Sequence, residues 1–193
     1  MTSSTHTIYT DGAAKGNPGP AGWCWWAGPD SWASGGWAIA TNNVAELTAA
    51  QQALVALEHD PHTPLVIVTD SRYVIDCLTK YIKGWMRNGW MTSKKAPVAN
   101  AELIRKIHSL AQARTHPVQW EWLKGHSGAF GNTQADEGAS NAALAHQYQR
   151  ECPTGPGWNG PKPRPGTTEE RVRNIPVVDS VIDLEQASQT SLF

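Results

Sequence analysis

The chain has 193 residues, 40% of them hydrophobic, which is enough for one domain of typical size and a further segment. The formal net charge of −1 excludes a bulk attraction to nucleic acid, so any such binding has to come from local arrangement. We expect neither a signal peptide nor a membrane span, because the sequence lacks a basic and apolar leader and any run of about 18 apolar residues. The three cysteines are widely spaced and form no CxxC pair, which is typical of a cytoplasmic protein without a disulfide framework.

The first part of the chain predicts three strands, a helix and a fourth strand. Runs rich in β-forming residues or tryptophan predict the first three strands: Thr7–Thr10, Ala21–Ala27 and Ser34–Ala40. The second and third of these strands are predicted to form an antiparallel pair. Behind Asn42 and Asn43, apolar residues recur at helical spacing: Leu47, Ala50, Leu54 and Leu57. The continuous apolar run Leu65–Thr69 predicts a strand that is buried on both faces, as in a parallel sheet.

The next part predicts helices around one more strand. Ser71 begins a helix that runs to about Leu78, and a basic stretch with tryptophans follows from Lys80 to Lys95. The remaining predicted elements are a helix, a strand, a flexible loop and a last helix: Asn100–Ala113, Val118–Leu123, Gly125–Gly131 and Asn132–Gln147. Residues 1–148 therefore predict one α/β domain.

The composition changes after this domain. Residues 152–166 hold five prolines and four glycines, so we predict that they form no regular element and that residues 149–174 are a linker. Residues 175–193 are predicted to be an acidic tail.

Four acids fall at positions where a site could form. Asp11 and Asp70 are predicted to end two strands, and the ends of parallel neighbours meet at the ligand-binding edge of an α/β sheet. Glu46 lies in the first turns of a helix, and Asp136 lies near the start of the last helix, behind a glycine-rich loop. Taken alone, an aspartate after a strand is as often a turn residue or a helix cap.

Four converging carboxylates would repel one another unless a cation neutralised them. Hard oxygen ligands select Mg²⁺, with Mn²⁺ as an alternative, rather than zinc. Such a cluster is a common cradle for two metal ions in phosphoryl-transfer sites.

Five segments carry a family resemblance: YTDGAAKGNPGPAGW, TNNVAELTAA, VTDSRYV, WLKGHSG and NTQADEGA. These segments resemble those of type 1 ribonuclease H, and they occur in the order of that family and at nearly its spacing. The similarity covers residues 7 to about 146. The resemblance implies an RNase H-like α/β fold with a five-stranded mixed sheet, three antiparallel strands and then two parallel ones, flanked by helices. It also implies cleavage of the RNA strand of RNA–DNA hybrids. We expect the protein to be a monomer, although the sequence itself carries no signal for its oligomeric state.

The same resemblance implies the site residues. The family's metal-binding acids fall on Asp11, Glu46, Asp70 and Asp136, and its loop histidine falls on His126. An imidazole can exchange a proton near neutral pH, although an exposed loop histidine is the simpler interpretation of His126 without the resemblance. The implied reaction is metal-assisted in-line attack of water, which leaves 5′-phosphate and 3′-hydroxyl ends.

Recognition of a hybrid requires reading of the 2′-hydroxyl and binding of phosphates. The resemblance implies these contacts for four short polar residues: Asn17, Thr41, Asn42 and Asn43. Each asparagine could instead be a turn or cap residue. The residue after Asp70-Ser71, commonly glutamine in the family, is Arg72 here, and its charge would bind phosphate or point away.

The basic stretch resembles the handle of many family members, which grips the DNA strand through its phosphates. We predict that Lys83, Trp85, Arg87 and Trp90 contact the substrate, with at least one tryptophan packing the handle instead. A run of charge can otherwise be only a solvated face.

The last five residues, QTSLF, resemble the pentapeptide that binds the bacterial sliding clamp. Leu192 and Phe193 would fill an apolar pocket, and Gln189 would hydrogen-bond at its edge. A chance match at a chain end is the alternative.

Two other functions remain open. One is a non-catalytic module that binds hybrids and is recruited to the clamp, although all four acids are present. The other is a nuclease or polynucleotidyl transferase of the same fold, such as a resolvase or integrase, against which the GNPGP and TNN motifs argue.

Overall fold

The computed structural model describes residues 5–125 and 128–160. Five strands and five α-helices follow one another in these ranges: β1 His6–Ala14, β2 Gly19–Gly28, β3 Ser31–Ala40, α1 Asn42–Ala56, β4 Leu65–Thr69, α2 Arg72–Ile75, α3 Ile82–Arg87, α4 Ala101–Gln112, β5 Gln119–Trp122 and α5 Phe130–Gln147. A π-helical segment, Asp76–Tyr81, joins α2 to α3. No helix within these ranges is long and apolar enough to cross a membrane.

The strands form one sheet in the order β3-β2-β1-β4-β5. Strands β1, β2 and β3 pair antiparallel, whereas β4 runs parallel to both β1 and β5. The predicted mixed sheet, three antiparallel strands followed by parallel ones, is thereby confirmed.

Strand β1 is longer than its β-rich residues predict. Its parallel pairing with β4 ends at Thr10 and Thr69, but its antiparallel pairing with β2 continues to Ala14. Asp11 therefore lies inside β1, and the prediction that it ends the strand is wrong in this respect. The reason is that β2 supplies hydrogen-bond partners for a stretch of small residues that has little β-propensity of its own.

Helices cover both faces of the sheet. Helix α1 packs on β1 and β2 and against α4, while α5 lies across β1, β2 and β3 on the other face. The largest fully buried side chains lie on the α1 side and include Trp25, Ile8, Leu47, Ile67 and Ile104. Removing this apolar layer from water stabilises the fold, at roughly 25 cal/mol per Å² of surface buried.

The helix predicted from Ser71 continues beyond Leu78. Ser71 caps it by accepting a hydrogen bond from the Val74 amide, and the helical path runs through the π-helical segment to Arg87. The basic stretch thus begins inside a helix, which gives its first cations a fixed spacing.

Residues 153–159, which we call the strap, lie against β3. The Gly157 amide donates to Trp32 O at 3.0 Å, the Ser34 amide donates to Thr154 O at 3.4 Å, and the Asn159 amide donates to Ser31 Oγ at 3.1 Å. Trp158, which also belongs to the strap, packs against Trp25 and the hydrophobic core.

The strap belongs to the segment predicted as a linker without regular structure. It forms only one isolated bridge, between Trp32 and Gly157, yet it is packed rather than extended away from the domain. Backbone hydrogen bonds and one tryptophan suffice for this, even though prolines and glycines exclude a helix or a long strand.

Candidate metal centre and nucleic-acid interface

Three carboxylates meet at the edge of the sheet. Asp11, Glu46 and Asp70 each offer an oxygen, and these oxygens all lie within 4.8 Å of one another. Asp11 is only 6% exposed and Glu46 only 7% exposed, while Asp70 is half-buried.

The fold explains why these three residues meet. Asp11 and Asp70 each follow the last pair of the parallel ladder between β1 and β4. Helix α1 is brought to the same point because Gly12 lets it approach β1: a Cβ on Gly12 would overlap the backbone nitrogen of Glu46.

Hydrogen bonds hold two of the acids in place. The Gly12 amide donates to Asp11 Oδ1 at 2.7 Å, and Asn42 Nδ2 donates to Glu46 Oε1 at 3.4 Å. The other oxygen of Glu46, Oε2, is buried without a hydrogen-bond partner. A buried carboxylate oxygen without a partner is costly, so a ligand is expected there.

The Glu46 end of α1 is fixed by neighbouring polar residues. Thr41 Oγ1 accepts from the Val44 amide at 3.3 Å as the N-cap of α1. Asn17 Oδ1 accepts from the Asn42 amide at 3.0 Å, which ties the turn before β2 to the start of the helix. Turn and cap chemistry therefore accounts for one contact of Thr41 and one of Asn17, and the exposed surface of both residues stays available to a substrate.

Burial and mutual repulsion hold protons on this cluster. Burial, then the charge of Asp70, raises the pKa of Asp11 to about 8, although the Gly12 amide lowers it. Burial, then the charges of Asp11 and Asp70, raises the pKa of Glu46 well above its usual range. Both effects are those expected of carboxylates that share a site without a cation.

Asp136 lies near the three acids but outside their group. It is half-buried on α5, and its charge contributes to the raised pKa of Asp11. The sequence predicted four converging carboxylates. The structure brings three within 4.8 Å, with the fourth close enough to act through its charge.

The donor set fits a hard divalent cation. All the donors are carboxylate oxygens, which Mg²⁺ and Mn²⁺ prefer. A divalent cation would relieve the repulsion that raises the pKa of Asp11 and would give Glu46 Oε2 a partner.

Asp70 has a neighbour that the sequence did not single out. Trp122, the last residue of β5, donates through Nε1 to Asp70 O at 3.0 Å, and the guanidinium carbon of Arg72 lies 3.5 Å from its ring centroid. The alternation in VQWEWL predicts the strand but carries no signal for a side-chain bond across the sheet.

The handle tryptophans are partly buried. Trp85 and Trp90 lie 6.2 Å apart between ring centroids and pack against the core, and Arg105 Cζ lies 4.4 Å from the Trp90 ring. Both tryptophans thus pack the handle. Lys83 and Arg87 are exposed.

Other predicted site residues are placed differently or lie outside the described ranges. Asn43 is half-buried in the first turn of α1, beside Asn42. His126 lies outside the described residues, as do the tail residues Gln189, Leu192 and Phe193.

The carboxylates lie where the parallel pair β1–β4 of a five-stranded mixed sheet meets α1, an arrangement that places the protein in the class of RNase H-like folds. Sequence similarity to known proteins indicates the same class. The model of the family described as RNase H matches residues 3–144. A ribonuclease H of Tropheryma whipplei (strain Twist) is 40% identical over 158 residues, which is 82% of this chain and 96% of the relative.

Two further likenesses cover the same region. A ribonuclease H of Parvibaculum lavamentivorans is 49% identical over 143 residues, 72% of this chain and 89% of the relative. The crystal structure of LC11-RNase H1 in complex with RNA/DNA hybrid is 25% identical, with a TM-score of 0.55, over 73% of this chain and 98% of that one. The chain belongs to the RNase H family.

Proposed function

We propose that this chain hydrolyses the RNA strand of RNA–DNA hybrids with divalent metal ions held by Asp11, Glu46, Asp70 and Asp136. Family membership makes it a ribonuclease H enzyme, an endonuclease among the hydrolases. The observation that supports the ligand set is the group of three carboxylates within 4.8 Å, two of them nearly buried.

Each acid has a distinct position in the proposed site. The Gly12 amide fixes one oxygen of Asp11 and leaves the other to a cation, while Asn42 orients Glu46 from the same helix. Asp136 completes the set from α5 as the outer ligand. A bound Mg²⁺ or Mn²⁺ would supply Lewis-acid stabilisation of the charge that develops on the phosphate and lower the pKa of water.

The surrounding residues would then act on the substrate. His126 exchanges a proton during the attack of water or the departure of product, in keeping with the chemistry of an imidazole near neutral pH. In-line attack leaves 5′-phosphate and 3′-hydroxyl ends.

Substrate choice is assigned to the polar residues beside the acids. Asn17, Thr41, Asn42 and Asn43 lie at the junction of β1, β2 and α1, where short side chains could hydrogen-bond a 2′-hydroxyl. On the handle, Lys83 and Arg87 would bind phosphates, and the packed Trp85 and Trp90 would support them.

The first test is cleavage of a labelled hybrid. With Mg²⁺ we expect cutting of only the RNA strand, none with EDTA, and none of single-stranded RNA, duplex RNA or duplex DNA. Asp70→Asn should abolish the activity because it removes a charged ligand, while Asp30→Asn in the exposed turn between β2 and β3 should not. Hybrid binding without cleavage in the wild-type protein would instead support the non-catalytic module.

We further propose that the protein is a monomer that the sliding clamp recruits through Gln189, Leu192 and Phe193. The support is the QTSLF sequence at the end of the chain, behind the strap and a proline-rich segment. A peptide of residues 183–193 should bind purified bacterial clamp, and Leu192→Ala with Phe193→Ala should abolish binding. Equal binding by both peptides would contradict the proposal.

A further inference from the structure

Trp122 contacts two residues that flank the start of α2. It closes the ladder between β4 and β5, opposite Thr69, so its ring lies beside the point where Asp70 leaves the sheet. From there its Nε1 donates to Asp70 O at 3.0 Å, and its ring lies 3.5 Å from the guanidinium carbon of Arg72. One side chain thus links the backbone of a metal-ligand candidate to an exposed cation.

The stability of α2 does not explain Arg72. A cation in the first turn of a helix opposes the helix dipole, and Arg72 is the first residue of α2. Within residues 5–125 and 128–160 its side chain forms no ion pair and no hydrogen bond, and its backbone carbonyl only accepts within the helix. Its contact in these ranges is the Trp122 ring, which is itself 39% exposed.

Stacking leaves the hydrogen-bonding edge of Arg72 available. The distance of 3.5 Å from the guanidinium carbon to the ring centroid fits face-on stacking on the indole, in which the N–H donors, which lie in the plane of the group, are not used by the ring. A planar donor fork of this kind fits the oxygens of a phosphate, and holding it in place reduces the entropy lost on binding.

We propose that Trp122 is a positioning residue with two effects: its indole N–H fixes the backbone at Asp70, and its ring holds Arg72 as a phosphate-binding group for the hybrid. The proposal rests on the proposed function, because the phosphate is that of a nucleic acid bound at the acids. The Arg72–Trp122 pair is then a contact beside the metal-binding edge, separate from the handle on α3.

The test separates binding from cleavage. Hybrid binding is measured in EDTA by fluorescence anisotropy at several salt concentrations, and kcat and KM are measured in Mg²⁺. The variants are Arg72→Gln, Arg72→Lys, Trp122→Phe and Trp122→Leu. Arg150→Gln is the matched control, because the guanidinium carbon of Arg150 also lies over an aromatic ring, 5.2 Å from the centroid of Tyr148, beyond the end of α5.

Arg72→Gln should raise the Kd for hybrid several-fold and KM with it, leave kcat nearly unchanged, and reduce the salt slope by about one phosphate contact. Arg72→Lys should keep the slope but bind more weakly, since it loses the planar fork. Trp122→Leu should copy the Kd of Arg72→Gln. Trp122→Phe should keep a Kd near that of the wild-type protein, because it retains a ring, but should lower kcat, because it loses the bond to Asp70.

Three results would overturn the proposal. One is an unchanged salt slope and Kd in Arg72→Gln, which does not disturb the contact of Trp122 with Asp70. Another is wild-type binding by Trp122→Leu, and the third is a wild-type kcat for Trp122→Phe. A wild-type protein that binds hybrid in EDTA but does not cut it would refute the proposed activity alone, since the binding arm still decides the role of Arg72.

Discussion

At the scale of single residues, the acids of the cluster oppose the stability of the metal-free protein. A carboxyl group whose pKa is raised on folding binds more protons in the folded state than in the unfolded state. Asp11 does so between its ordinary pKa of 3.8 and about 8, so the free energy of unfolding falls as the pH rises through this window. Glu46 contributes in the same direction.

We therefore expect Asp11→Asn to stabilise the protein in EDTA at pH 8, by about 1–3 kcal/mol, in the range of most single substitutions. The amide keeps the acceptor for Gly12 and removes the charge. Denaturant unfolding at pH 5 and pH 8 measures this, and the difference between variant and wild type should shrink at pH 5. A variant that is less stable than wild type at pH 8 would show that repulsion among the acids is unimportant.

A bound metal ion should make the wild-type protein more stable than Asp11→Asn, the reverse of the order in EDTA. Mg²⁺ at pH 8 should raise the melting temperature of the wild-type protein, because the ion binds the ionised carboxylates of the folded state only. Asp11→Asn and Asp70→Asn should show a much smaller rise. Asp30→Asn is the control: its melting temperature should rise with Mg²⁺ as much as that of the wild-type protein, since Asp30 lies in an exposed turn.

At the scale of elements, Gly12 controls how closely α1 approaches β1. Gly12→Ala places a methyl group where the backbone of Glu46 lies, so the helix has to move and carry Glu46 with it. We expect a loss of about 1–3 kcal/mol of stability from overpacking. Activity should fall by about 100-fold, as misplacement of a catalytic group by an ångström can do.

The same substitution at Gly84 is the stability control. A Cβ there meets no atom within 4 Å, and the residue lies inside α3, where alanine is favoured over glycine by up to about 1 kcal/mol. Thermal unfolding should therefore move in opposite directions for the two variants. A Gly12→Ala variant that is as stable as Gly84→Ala would mean that the crowding at Gly12 is relieved by movement of its neighbours.

Local patterns predicted most elements but few of their contacts. The apolar run Leu65–Thr69 is the observed β4, and Asp11 and Asp70 meet because each directly follows the last parallel pair of β1 and β4. The extension of β1 to Ala14 and the contact of Trp122 with Asp70 depend on pairing partners far away in the sequence. No periodicity within either segment carries that information.

At the scale of the whole molecule, the strap ties the end of the described chain to the sheet. Trp158 contacts His6 edge-on, with ring centroids 4.8 Å apart, and His6 also lies 3.0 Å from Asp60. These contacts lie at the start of β1, whereas Asp11 lies further along the strand. The strap should therefore affect stability more than catalysis.

Trp158→Ala should lower the free energy of unfolding by about 1–3 kcal/mol, less than the loss for a fully buried tryptophan, and leave kcat nearly unchanged below the unfolding transition. Trp158→Phe should cost much less, because it keeps a ring and removes an indole N–H that is buried without a partner. Unfolding and cleavage measured on the same samples check both. A large fall in kcat for a fully folded Trp158→Ala would place the strap in the catalytic machinery.

The position of the strap also bears on how the protein avoids association with itself. Strand β3 is an outer strand of the sheet, and open strand edges pair readily with other chains. The strap occupies backbone groups of Trp32 and Ser34, and its Pro153 and Pro156 have no N–H with which to continue the sheet outwards. A chain ending at Arg150 should therefore aggregate in light scattering at concentrations where one ending at Gly160 stays dispersed.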